Sequence, residues 1–145
     1  MSVTDASVWI SYFLADDAKH VESEEWFECV ASARENMLSP RFLLVEVAAA
    51  IARRSGDPGS GLRFAERLRD HPQLALVLMA DDLVDEATRL GAQLRLRGAD
   101  ATYIATAAAL GTRLVTWDRE QLAGGAALVS TATPADDLRD ESTDS

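Results

Sequence analysis

Gly98-Ala-Asp-Ala-Thr-Tyr-Ile-Ala-Thr-Ala-Ala-Ala-Leu-Gly-Thr-Arg-Leu-Val-Thr-Trp-Asp118 is the stretch that decides the fold. Asp100 opens an alanine-rich run that reads as a helix as far as Leu110, where Gly111 stops it. Leu114–Thr116 then has the length and character of a strand, and Asp118 stands just beyond its end. Helix, stop, strand, acid: the rest of the chain repeats this rhythm.

Working outward, residues 2–5 read as a short strand that continues into a helix over 6–14, with Val8, Trp9, Tyr12 and Phe13 as its apolar surface. A second helix spans about 18–33, where Val21, Trp26, Phe27 and Val30 are spaced for one face and Glu22, Glu24, Glu25 and Glu28 surround them. Residues 37–39 are strand-sized. Pro40 stands where proline starts a helix, with Ser39 as its cap, and that helix runs to about Arg54. Gly56-Asp-Pro-Gly-Ser-Gly61 reads as a break, 62–70 as a short basic helix, and 74–79 as a strand. An amphipathic helix led by acids covers 81–96, and a last strand is expected at 127–129 after Gly124-Gly125. Strands alternating with helices, without hairpin signals, predict an α/β fold: a three-layer α/β/α sandwich with a small, mainly parallel central sheet.

The chain has 145 residues, 48% hydrophobic and 26% charged, which predicts one soluble domain over 1–131. Of its net charge of −10, the body carries −6 and residues 134–145 carry −4, where Asp136, Asp137, Asp140, Glu141 and Asp144 face only Arg139. Residues 132–145 therefore read as an acidic, disordered tail. An acidic body argues against broad nucleic-acid affinity, suits a basic protein partner, and still permits local RNA binding. No apolar run reaches the length of a membrane span, because Glu46 interrupts the best candidate. Cys29 is the single cysteine, which excludes an internal disulfide and a cysteine-rich zinc site. With no secretory pattern in the opening residues, the expectation is a cytoplasmic protein.

Four acids stand in conspicuous places. Asp5 and Asp118 fall at the carboxyl ends of expected strands, where open α/β sheets bind ligands. Asp100 lies at a helix start that can share the same rim. Glu46 is the only charge between Arg41 and Arg53, on a helical face shared with Phe42, Ala49, Ala50 and Arg53. A carboxylate among that much aliphatic surface must be paired, protonated or metal-bound. Two carboxylates ~5 Å apart repel by roughly 3 kcal/mol at an effective dielectric of ~20. A cluster of them stays ionised at neutral pH only with a cation among them, and all-oxygen ligation selects Mg²⁺ or Mn²⁺ over zinc. Taken singly, each acid has a plainer reading. Asp5 and Asp100 could be helix caps, Asp118 a turn residue, and Glu46 a partner of Arg53 or Arg54.

Taken together, Val-Thr-Asp5-Ala-Ser7, Glu46 in its apolar helix, Gly-Ala-Asp100-Ala-x-Tyr-Ile-Ala and Leu-Val-Thr116-x-Asp118 resemble the PIN-domain ribonucleases. In size the chain is similar to the VapC-type toxins of toxin–antitoxin pairs. The resemblance implies a PIN-like fold and a Mg²⁺-dependent endoribonuclease, with Mn²⁺ able to substitute, that hydrolyses RNA by a metal-activated water. It implies an acidic pocket of Asp5, Glu46, Asp100 and Asp118, with Asp5, Asp100 and Asp118 on the metal and Ser7 and Thr116 in support. It further implies a cognate antitoxin and a homodimer. Arg53 is the residue expected to reach RNA phosphate, and Trp117, beside Asp118, the one expected to contact a base.

Rival chemistries fit less well. A haloacid-dehalogenase-type phosphatase needs an Asp where Ser7 stands, and a phospho-receiver needs a late lysine, whereas Lys19 is the sole lysine. The glycines of 56–61 lack the Lys-Ser/Thr of a phosphate loop. The alternative from another class is an acidic docking module that binds a basic partner without catalysis.

Overall fold

The computed structural model describes residues 1–143; Asp144 and Ser145, the end of the expected tail, lie outside the described residues. The chain runs β1 (Ser2–Thr4), α1 (Ala6–Phe13), α2 (His20–Ser32), β2 (Met37–Pro40), α3 (Leu43–Ser55), α4 (Pro58–Arg69), β3 (Leu74–Val77), α5 (Asp81–Leu94), α6 (Gly98–Leu110), β4 (Arg113–Val115), α7 (Arg119–Gly125), β5 (Thr131–Ala132) and α8 (Pro134–Thr143). The strands form one five-stranded sheet in the order β3-β2-β1-β4-β5, and every pairing is parallel. This is the expected three-layer α/β/α arrangement.

The order explains where a site can form. From β1 the chain builds outward through β2 and β3, then crosses back to place β4 on the other side of β1. The connections leaving β1 and β2 thus diverge from those leaving β4, and a crevice opens at the carboxyl ends between them. Register puts Thr4 opposite Val115, so Asp5 and Thr116 leave the sheet side by side. The Asp5 backbone N–H still donates to Val115 O at 3.1 Å.

The alanine run of α6 has a packing reason. Residues from Asp100 to Ala107 are all buried, because this helix lies against β1, β2 and β4 and is covered by α5 and α7. A helix buried all round cannot carry a polar face, and small side chains let it sit close to the sheet. Gly111 ends it in the left-handed region at φ 60°, as expected of a glycine stop. Trp9, Trp26, Met37, Leu43, Ile51 and Leu114 are among the fully buried side chains of the same core.

Four expectations need correction. Pro40 does not start α3. It is the last residue of β2, opposite Val77, where a missing N–H costs little, and Ser39 donates its hydroxyl to Thr4 O at 2.6 Å instead of capping a helix. The break at 56–61 is much shorter than expected. Asp57 caps α4 by accepting from the N–H groups of Gly59 and Ser60 at 2.9 and 3.1 Å, Pro58 takes the first helical position, and the helix already includes Gly59 and Gly61. The last strand is 131–132 rather than 127–129. The chain after Asp118 first makes α7, and only then do Leu114 and Thr116 find their carbonyl partners, Ser130 and Ala132.

The fourth correction concerns the tail. Residues 134–143 are helical, and Asp137 is not a solvated charge. Asp137 is buried, accepting from Trp26 Nε1 at 2.8 Å and from Arg113 Nε and Nη2 at 2.8 and 3.0 Å. That charge-assisted fork, with Leu138 packed on the core, docks α8 against α2 and the sheet edge. Among the described residues, no helix is long and apolar enough to cross a membrane.

Candidate active site

Asp5, Glu46, Asp100 and Asp118 line one cleft of about 440 Å³ at the carboxyl ends of β1 and β4, together with Arg53, Arg97 and Gln121. The four acids therefore converge, each held by a local device. Asp5 is the N-cap of α1. Its Oδ2 accepts from Ser7 N at 3.1 Å, Ser7 Oγ at 2.5 Å and Thr116 Oγ1 at 2.9 Å. The two hydroxyls are themselves fixed, since Trp117 N donates to Ser7 Oγ and Asp118 N donates to Thr116 Oγ1. Ser7 and Thr116 thus hold Asp5 from two sides.

Asp118 is the N-cap of α7, accepting on Oδ1 from the N–H groups of Glu120 and Gln121. Its Oδ2 faces the cleft and takes a 2.8 Å bond from Arg97 Nη2. Asp100 is not a cap: Arg97 holds that position, and Asp100 sits in the first turn of α6, 3% exposed. It accepts from Arg97 Nε on Oδ2 and from Gln121 Nε2 on Oδ1, both at 2.9 Å. Glu46 pairs with neither Arg53 nor Arg54. It accepts a 2.6 Å bond from the hydroxyl of buried Tyr103, while Arg54 binds Asp17. Arg53 lines the cleft. Trp117 does not. Its indole N–H donates to Ser23 Oγ at 2.8 Å and Lys19 Nζ lies 4.6 Å from its ring centre, so it ties α2 to the end of β4.

The electrostatics follow from burial and crowding. Burial pushes the Asp5 carboxyl up, against the pull of its bonds from Ser7, Gln121 and Thr116. Glu46 is pushed up to about 7, first by burial and then by the charges of Asp5 and Asp100, against the opposing Tyr103 bond and Arg97. Burial and the charges of Asp5 and Glu46 drive the Tyr103 phenol well above its ordinary value, so it stays a donor.

A pH dependence follows. The folded value of Glu46 lies above its ordinary 4.5, so the folded state binds the extra proton and stability falls as pH rises between about 4.5 and 7. In chelator, Glu46→Gln lacks this loss, and its melting temperature is expected to gain on the wild type across that window and stay level beyond it. Melting both proteins from pH 4 to 8.5 checks this; a constant difference would show that Glu46 does not titrate there.

The donor set fits a hard divalent cation. Carboxylate oxygens of Asp100, Asp118 and Glu120 lie within 4.8 Å of one another, and oxygen-only donors suit Mg²⁺, Mn²⁺ or Ca²⁺. The expected ligand set was Asp5, Asp100 and Asp118. The structure puts Glu120 beside the latter two and links Asp5 to Asp100 through the Gln121 amide. Glu120, Gln121, Arg97 and Tyr103 were not read from sequence. The first two were legible in principle, since Asp118 as an N-cap turns both toward its own end of α7. Arg97 and Tyr103 carry no such local signal.

The PIN domain family matches residues 2–125. No curated protein matches the chain. Among solved structures, VapC20 of Mycobacterium tuberculosis, described as a sarcin–ricin loop cleaving toxin, is similar at 21% identity and a TM-score of 0.76, over 86% of this chain and 95% of that one. A toxin–antitoxin complex from Klebsiella pneumoniae is similar at 15% identity and a TM-score of 0.64, over 92% of this chain and 98% of that one. FitAcB from Neisseria gonorrhoeae is similar at 16% identity and a TM-score of 0.66, with the same coverage. At these identities the structural likeness speaks for the fold. The family match over 2–125 agrees with the parallel sheet and the acids gathered at its carboxyl edge, and the chain belongs to the PIN domain family.

Proposed function

We propose that this protein is a Mg²⁺-dependent endoribonuclease, the toxin of a toxin–antitoxin pair. The observation that carries the reading is the convergence of four acids, distant in sequence, in one cleft at the switch point of the sheet. Carboxylates are brought together against their own repulsion where a cation and a phosphate are to be held. Asp5, Asp100 and Asp118 would hold the cation, with Glu120 at its exposed side. A cation bound there supplies Lewis acidity to the scissile phosphate and lowers the pKa of the attacking water.

The chain's own residues supply the rest. Ser7 and Thr116 fix Asp5, so its free lone pairs point in one direction. Glu46, pushed up to about 7 and oriented by Tyr103, is matched to accept a proton from water near neutral pH. Arg53 and Arg97 line the cleft and offer cationic contacts to the RNA backbone. Arg97 already bridges Asp100 and Asp118, which supports an antitoxin that inhibits by offering a guanidinium of its own to these acids. A homodimer fits the apolar depression lined by exposed Leu78 and Leu110. An RNA substrate places the work of the protein in the cytoplasm.

The test is cleavage of defined RNA in Mg²⁺ or Mn²⁺ and in EDTA. The sarcin–ricin loop that VapC20 is described as cleaving is the first substrate to offer, followed by total cellular RNA. Metal-dependent cleavage is expected, lost in EDTA and restored by excess Mn²⁺. Cleavage that survives EDTA would overturn the metal mechanism, and no cleavage with any metal would leave the acidic docking module as the better reading.

A further inference from the structure

Among the described residues, Gln121 is the one uncharged polar side chain that bridges two of the acids. It is 2% exposed, in the first turn of α7, with its backbone N–H on Asp118 Oδ1 at 3.1 Å. Its Nε2 donates to Asp5 Oδ1 at 3.0 Å and to Asp100 Oδ1 at 2.9 Å, one amide hydrogen to each. Its Oε1 is buried and has no hydrogen-bond partner among the described residues. A buried amide that satisfies one end and leaves the other idle needs an explanation.

The amide nitrogen lies between the two carboxylate oxygens that a shared cation would join. We infer that Gln121 is a further ligand of the cation site, turning its amide by half a turn so that Oε1 faces the cation when Nε2 leaves Asp5 and Asp100. This rests on the metal-dependent reading above. The amide oxygen and nitrogen occupy nearly the same volume, so the turn displaces nothing. The two bonds that Asp5 and Asp100 lose from Nε2 are replaced by the cation, which neutralises the same carboxylates. At the other end the turn breaks no bond, because Oε1 has none to lose, and the cost of carrying the two amide hydrogens into that buried position is one that cation binding must exceed. Without a cation the opposite orientation would set a carbonyl oxygen against two carboxylates, which fixes the arrangement observed. A neutral oxygen donor also completes a hard-cation site without adding charge to a cluster already crowded with acids.

The experiment is Mn²⁺ binding by calorimetry and by electron paramagnetic resonance, on the intact wild type, Gln121→Ala and Gln121→Glu, each also melted in EDTA. The expected result is Mn²⁺ binding about tenfold or more weaker in Gln121→Ala. Gln121→Glu, which keeps an oxygen on the cation in either orientation, should bind at least as tightly as wild type. It should also melt lower in EDTA, where three carboxylates meet. If Gln121→Ala does not fold, Gln121→Met fills the same space without an oxygen and is held to the same criterion. Ala or Met variants that bind Mn²⁺ as tightly as wild type, or more tightly, would make Gln121 a mere stand-in for the cation and overturn the assignment. No Mn²⁺ binding by the wild type would instead sink the metal-site reading, and the Gln121 assignment with it.

Discussion

Asp100→Asn is expected to lower RNA cleavage by about a thousandfold or more at saturating Mn²⁺, with the folded state intact. Removing a group that merely supports a ligand already costs about 10–100-fold in affinity or activity, and Asp100 would hold the cation directly. Its two oxygens serve both neighbours of the site, Arg97 and Gln121. Asparagine can still accept from Gln121 Nε2 with its carbonyl, so the buried contact survives. Its amide then faces Arg97, whose side chain is 67% exposed and can swing into water for about 1 kcal/mol or less. The lost charge also relieves Glu46, which Asp100 helps to push up. The melting temperature in EDTA should therefore stay within a few degrees of wild type. Single-turnover cleavage and melting on the same preparation check both halves, and a folded Asn variant that cuts at the wild-type rate would remove Asp100 from the site.

How far the sequence leads is clearest at the acids. Asp5 and Asp118 were legible because each ends a strand and caps the following helix, and the strand order of a parallel sheet brings such ends together. Asp118 shows that the plain reading and the functional one coexist: one oxygen caps α7 while the other faces the cleft. The partners were not legible. Tyr103 reaches Glu46 across 57 residues, and its tyrosine could as well have been a core filler in an alanine-rich helix. Strands of two to four residues are set by their neighbours, so Pro40 was assigned to the wrong element and β5 to the wrong residues. Asp137 failed for the same reason. An acid among acids reads as solvated until Trp26 and Arg113 are seen to face it.

Gly61 carries the last expectation, and it too lies where composition misled. Within 56–61 the glycines read as a break, yet only Gly56 adopts a left-handed backbone, at φ 69°. Gly61 is helical, and its need is space. A Cβ there would stand 2.3 Å from the Ala48 carbonyl oxygen and 3.2 Å from Ala52 Cβ, on the facing helix α3. Backbone in a helix cannot swing aside as a side chain does, so α3 and α4 must separate. Overpacking of this kind costs about 1–3 kcal/mol, set against a gain in helix propensity of up to about 1 kcal/mol for Gly→Ala. With carbonyl as the obstacle we expect Gly61→Ala to lose about 2 kcal/mol, roughly 6 °C in melting temperature for a chain of this size. Gly59→Ala is the control. Its Cβ meets only the ends of Arg63 and Asp57, both exposed, so it should change stability by no more than about 0.5 kcal/mol. The consequence reaches the site, because α3 carries Glu46 two residues before Ala48, the point of contact. A shift of α3 lengthens the Tyr103–Glu46 bond, so Gly61→Ala should also cut more slowly at temperatures where it is fully folded. If Gly61→Ala melts with Gly59→Ala and cuts like wild type, the α3–α4 contact does not position Glu46.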